Sequence, residues 1–251
     1  MISIDTGTRR LTRVGAAILL TAITGPVVAG PIVVRAVGPI AASYKPGQKL
    51  GDSATLVLKA GDQVTVLDAQ GTRSFSGPGN FRFDQPSAAA AAPTAFAELL
   101  QQKPERRARI GAVRGSAGEM TGPPMPPGVW AIDSGASGTV CAIDTAKLSL
   151  WRAEPMAAGA FTVTRVAGGK SAPLAFAAGQ AIASWPADLA AGTGGQFRIT
   201  GGAKPAALTL KVLPKPPTAV DDLGAALLDM GCQSQFERLT MVTKRPDSAA
   251  M

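Results

Sequence analysis

Residues 54–83 read ATLVLKAGDQVTVLDAQGTRSFSGPGNFRF, and this stretch decides the fold class. Three apolar runs, 56–58, 64–67 and 75–83, are separated by turn-forming residues: Ala60-Gly61-Asp62, Asp68 to Gly71, and Gly77-Pro78-Gly79. Val64 and Val66 alternate with Thr65 and Leu67, and Leu56 and Leu58 flank Val57. Successive side chains of a strand point to opposite faces, so period-2 runs bounded by Gly, Asp and Pro predict a β-meander. The rest of the composition agrees. The 251 residues include 29 glycines and 20 prolines, about a fifth of the chain, which suits short strands and turns better than long helices.

On either side of this stretch the pattern continues. Residues 32–37 predict a first strand, and Tyr44-Lys45-Pro46-Gly47 a turn. Residues 85–93 (QPSAAAAAP) are low in complexity and read as a linker; a short helix is expected near 94–103, capped by Thr94. A further strand is expected at 110–113. Residues 115–128 hold four prolines and four glycines and mark the domain boundary. Beyond it, strand-like runs recur at 129–132, 139–143, 147–152, 160–166, 173–176, 180–185, 196–200 and 206–213. Short strands at that spacing predict a β-sandwich. A C-terminal helix is expected over 219–240, capped by Thr218 with Asp221 in a capping box and with Gly231 as a point that can break it into two, and residues 244–251 as a frayed tail. The reading is an all-β chain of two small β-rich domains, a meander over 30–114 and a sandwich over 129–243, with a short inter-domain helix and a C-terminal helix.

The chain has no histidine. That removes Ser-His-Asp and Cys-His catalysis, His-ligated zinc and the iron facial triad. Two cysteines are too few for a Cys₄ zinc site or an iron–sulfur cluster within one chain, so no cofactor or metal is expected. The net charge is +8. Three arginines and one aspartate lie in the first 29 residues, leaving 22 basic and 16 acidic residues beyond, a net +6. Only residues 103–109 (KPERRAR) cluster that charge. Nucleic-acid binding needs a basic face with interleaved aromatics, so no nucleic-acid partner is expected and the charge reads as general solubility.

The N-terminus carries Arg9, Arg10 and Arg13, then an uncharged apolar run from 14 to 29 broken by Gly25-Pro26 and ending Val27-Val28-Ala29. This is the three-part form of a secretory signal, residues 1–29, with cleavage after Ala29. The alternative is an uncleaved anchor over 14–34, in which case the membrane is a partner; Gly25-Pro26 and Pro31 oppose it. No cysteine follows the apolar run, which excludes a lipoprotein. Either way the remainder lies outside the cytoplasm, in the periplasm or beyond it. In an oxidising compartment Cys141 and Cys232 pair most economically with each other.

One motif suggests chemistry. Ala131-Ile132-Asp133-Ser134-Gly135-Ala136 is similar to the active-site loop of aspartic proteases, in which two such loops share a proton. The only other candidate loop, Leu228-Asp229-Met230-Gly231, lacks the Ser/Thr, and Asp-Ser-Gly is also a common hairpin turn. Asp133 is therefore a weak candidate, and no catalytic residue is assigned. Trp130, Trp151 and Trp185 read as core; an exposed sugar-stacking platform is the alternative. The glycine-rich segments 77–79 and 192–195 match no phosphate-loop pattern.

Leu56-x-Leu-Lys-Ala-Gly-Asp-x-Val-x-Val-Leu-Asp68, then Gly71-Thr-Arg, Gly77-Pro-Gly-x-Phe and Arg109-Ile-Gly-Ala-Val-Arg-Gly115, resembles the periplasmic FecR-type β-domain over about residues 33–115. The whole chain resembles exported Gram-negative proteins of that kind. The resemblance implies a fold and a compartment. It does not imply anti-sigma activity, since only thirteen residues precede the apolar run. The expected function is a non-catalytic exported interaction, sensor or accessory module with an unidentified protein or envelope partner. The alternatives are an aspartic-type hydrolase using Asp133 and a glycan-binding module using exposed tryptophans.

Overall fold

A computed structural model describes residues 30–51, 53–83, 93–100, 124–144, 148–189 and 194–244. The expected signal segment, the basic cluster, the strand at 110–113, most of the linker and nearly all of the tail lie outside them. Among the described residues no helix is long and apolar enough to cross a membrane. The chain is mostly β-strand in several sheets, with two helices at its C-terminal end.

The first unit holds β1 (Ile32–Val37), β2 (Thr55–Leu58), β3 (Gln63–Asp68), β4 (Gly71–Ser76) and β5 (Gly79–Arg82). All the runs of the opening stretch are strands, but they do not form a simple meander. β3 and β4 make a hairpin that pairs with β1 in the order β1-β3-β4, while β2 pairs with β5 in a separate two-stranded sheet. Asp62 causes the switch. It is buried, and its carboxylate accepts the N–H groups of Lys59 (2.8 Å) and Ile40 (3.0 Å). Its carbonyl accepts the N–H of Gly77 at 2.9 Å. This corner turns the chain out of β2 and draws the end of β4 back over it. A Cβ at Gly77 would lie 2.0 Å from the Lys59 carbonyl oxygen, so only glycine permits the approach.

β3 is buried on both faces toward its end. Val64 and Val66 enter a core with Val33, Leu56, Leu58 and Phe75. Leu67 and Ile32 point the other way, into a second core with the C-terminal helices. The sheet thus presents one face to its own unit and the other to the end of the chain.

The second unit holds eight strands: β6 (Ala131–Asp133), β7 (Gly138–Ala142), β8 (Ser149–Trp151), β9 (Gly159–Arg165), β10 (Ser171–Phe176), β11 (Ile182–Ser184), β12 (Gly195–Thr200) and β13 (Ala206–Val212). They form a five-stranded sheet, β10-β9-β12-β13-β7, and a three-stranded sheet, β11-β8-β6. Apolar side chains of both sheets share one core, including Leu150, Val163, Phe176, Trp185, Phe197 and Leu210. β7 joins β13, and β6 joins β8, by parallel pairing. The Asp133–Gly135 turn therefore passes between sheets and is not a hairpin, because the strands it connects pair elsewhere.

Helix α1 spans Pro93–Leu100. The C-terminal helical segment is two helices, α2 (Val220–Asp229) and α3 (Gln233–Val242), divided at Gly231. Gly231, at φ 76°, ends α2 in a Schellman motif: Cys232 N–H bonds Leu227 C=O (2.7 Å) and Gly231 N–H bonds Leu228 C=O (2.9 Å). The start of α2 also differs from expectation. Its N-cap is Ala219, with no side-chain cap; the Thr218 hydroxyl is spent on the Asp222 carboxylate.

The helix pair sits between the two β-units. Ile32, Leu67, Leu99, Trp130, Cys141 and Leu213 pack in one core with Leu223, Leu227, Phe236 and Leu239. α3 is held at both ends. Near its start, a disulfide joins Cys232 to Cys141 on β7, across 91 residues, as the cysteine count predicts. Just past its end, the Thr243 carbonyl accepts the N–H of Thr72 on β4 at 3.0 Å, and their hydroxyls meet at 3.0 Å. The C-terminal helix thus belongs to both units, whereas the sequence assigns it to the second alone.

Gly224 is where α2 meets the first sheet: a Cβ there would lie 2.4 Å from Leu67 Cδ2, in the fully buried core. Gly224→Val is expected to destabilise by about 1–3 kcal/mol through overpacking, measured as a lower urea midpoint. Asp221, also on α2, is buried, and its Oδ1 has no hydrogen-bond partner among the described residues. Burial raises its pKa from 3.8 to about 6, with Asp222 and Asp68 adding to the rise and backbone hydrogen bonds opposing it. The folded state then takes up a proton at a pH where the unfolded chain does not. This contribution to stability grows as pH falls from 7 through 6 toward 4, by up to about 3 kcal/mol. Asp221→Asn should remove that slope and stabilise the protein at pH 7, which denaturation of both forms across this range will read.

Candidate functional site

α3 carries polar residues on a face that packs against protein. Cys232, Gln235, Phe236 and Leu239 lie at i, i+3, i+4 and i+7, one side of a helix. Gln235 is fully buried in that row. Its Oε1 accepts the Cys141 N–H at 2.5 Å, and its Nε2 donates to the carbonyls of Cys141 (2.9 Å) and Val129 (3.0 Å). β7 is an edge strand of the five-stranded sheet. The Gln235 amide bonds the N–H and the C=O of Cys141, as a neighbouring strand would, and closes the edge at that point. One helical turn on, Arg238 Nη1 donates to the Ala131 carbonyl of β6 at 2.7 Å.

Beside these contacts lies an open cavity of about 170 Å³, between the β6–β7 turn, β13 and α3. Ile132, Val140 and Leu208 are buried in its wall. Met125 and Met241 line it too and are about half exposed, at 45% and 52%. Three charged groups, Asp133, Glu237 and Arg238, also line it, as do the hydroxyl residues Ser137, Thr139 and Ser234. Arg238 is only 8% exposed, and its Nε is buried without a hydrogen-bond partner among the described residues. Burial lowers the guanidinium pKa, and the negative charges of Asp133 and then Glu237 offset part of that. A lining of this kind offers a small group both apolar contact and charge.

Asp133 stands at the end of β6 and is partly exposed. Its Oδ1 accepts the Gly135 N–H at 2.9 Å, and its carbonyl accepts the Ala136 N–H at 3.3 Å, an Asx turn. Among the described residues no second carboxylate is hydrogen-bonded to it. Asp229, in the other candidate loop, pairs instead with Lys49 at 2.9 Å on the surface. No proton-sharing dyad is formed by these two. The tryptophans are buried, at 4%, 6% and 6% exposure for Trp130, Trp151 and Trp185, so the sugar-stacking alternative lacks its exposed platform. Trp130 packs with the helix pair and donates from Nε1 to the Leu99 carbonyl at 3.1 Å. Among the described residues no group of three or more Cys, Asp or Glu is placed to hold a metal ion.

The sequence reading reached Asp133 but not Arg238, Glu237 or Gln235. The signal available was a glutamine inside the apolar row of a helix, which marks a buried polar group that must find partners. Removing it leaves the Cys141 N–H and two carbonyls unpaired. Gln235→Ala is expected to cost about 3 kcal/mol or more, while Gln233→Ala on the exposed side stays within about 0.5 kcal/mol, both read from urea midpoints. No protein-family model, curated protein or solved structure matches the chain.

Proposed function

We propose that this chain is an exported, non-catalytic binding module of the bacterial envelope, either a sensor or an accessory protein. Its first β-unit is read as FecR-like and its second as a sandwich; residues 1–29 are the secretory signal. The observation that carries the reading is the fully buried disulfide between Cys141 and Cys232. It joins the second β-unit to the helix pair that packs on the first, so the arrangement of the whole chain depends on a bond favoured in oxidising compartments. The cavity near it supports binding: its lining brings charged residues together with apolar ones, and Asp133 is engaged in a turn.

The full chain expressed in a Gram-negative host should be recovered from the periplasm with Gly30 as its first residue. Its mass should rise by one pair of hydrogens on reduction. Recovery from the cytoplasm as a free dithiol would defeat the reading. Replacing both cysteines with serine is expected to lower stability by about 2–5 kcal/mol, measured by denaturant unfolding of the purified protein.

A further inference from the structure

We propose that the cavity between the β6–β7 turn, β13 and α3 is a binding site for a free aliphatic α-amino acid. The inference rests on reading this cavity as a binding site rather than a catalytic one.

Size sets the first limit. A volume of about 170 Å³ is far below the ~300 Å³ or more of drug-sized pockets and close to cavities that accept one benzene-sized group. One side chain fits. The wall of Ile132, Val140 and Leu208 makes that side chain apolar, and the unbranched, polarizable Met125 and Met241 can adjust around it.

Charge sets the second limit. Arg238 reaches the cavity with its stem buried, and only Nη1 has a hydrogen-bond acceptor among the described residues. Nε is itself enclosed and Nη1 holds the Ala131 carbonyl, so Nη2 is left to donate a charge-assisted hydrogen bond to a carboxylate. A ligand bearing only a carboxylate would pair with Arg238 but add to the negative charge of Asp133 and Glu237, which together already exceed the one positive charge of Arg238. A ligand bearing only an ammonium would meet Arg238. A zwitterion answers both: its carboxylate faces Arg238 and its ammonium faces the two carboxylates. A residue at the C-terminus of a polypeptide lacks the free α-ammonium, and one at the N-terminus lacks the free α-carboxylate. The free amino acid carries both on one carbon, beside its side chain.

The test uses the full mature chain, disulfide intact, with methionine methyl groups labelled with ¹³C for NMR. Leucine, N-acetylleucine and leucinamide are titrated separately to about 10 mM, beyond the millimolar end of the affinity scale. Leucine should shift the Met125 and Met241 methyl signals saturably and leave Met156, outside the cavity, unmoved. Each analogue should bind at least about tenfold more weakly, since each leaves one buried or half-buried charge unanswered. Glu237→Gln, at an exposed position, should retain the fold and narrow the gap between leucine and N-acetylleucine. Absence of any saturable shift overturns the proposal, as does equal binding of either analogue. Chemical conversion of bound leucine would defeat the non-catalytic reading while leaving the site in place. Failure to bind, in a protein still exported and disulfide-bonded, would defeat only the amino-acid assignment.

Discussion

The two-sided bonding of Cys141 by Gln235 is the contact on which the rest of the structure depends. β7 ends the five-stranded sheet, and an unpaired edge there would leave a buried N–H and C=O without partners. The glutamine amide supplies one acceptor and two donors at that point, and uses all three. Because Gln235 sits one turn from Cys232, its hydrogen bonds and the disulfide fix the same segment of α3. That segment sets where Arg238 reaches β6, and therefore where the cavity opens. With the start of α3 fixed, its far end lies beside Thr72 and α2 lies across Ile32 and Leu67.

The strands were legible because their signal is local. β1 matches its expected span, and seven of the eight runs past the linker overlap their strands closely; only 129–132 is offset, since Val129 and Trp130 form a turn ahead of β6. The pairing was not legible. Whether β2 joins β3 or β5 depends on the Asp62 carboxylate finding two backbone N–H groups, one of them 22 residues away. No periodicity carries that. The helix pair was half legible. Its apolar residues and Gly231 were visible, but not that its apolar surface serves two partners. The trace of this in the sequence was Leu67, which breaks the alternation of β3 by being apolar on the wrong face. The pocket was least legible, since Asp133, Glu237 and Arg238 come from segments about a hundred residues apart.

Three arginines that contribute to the basic charge are structural. Arg73 pairs with buried Asp68 and lies over Phe75. Arg152 donates to the carbonyls of Gln180, Pro155 and Ala177 and covers Phe176. Arg238 holds β6. A guanidinium satisfies several carbonyls at once while its flat face lies on an aromatic ring, which suits it to the borders of sheets. Part of the positive balance is therefore internal scaffolding, which fits the absence of a basic face in the sequence pattern.

The position of α3 in the chain has a kinetic consequence. Synthesis delivers the N-terminus first, and each β-unit can collapse on its own core as it emerges. The groove between them stays unfilled until residues 220–243 arrive, after both units have been made. Until then Ile32, Leu67 and Trp130 lack their contacts with the helix pair, and the thiol of Cys141 waits for one made 91 residues later. Closing so long a loop is the slow kind of step, since its entropy is lost before its contacts form. This segment, made after both sheets, is thus the latch: without it the described sheets lack the helices and the disulfide that join them.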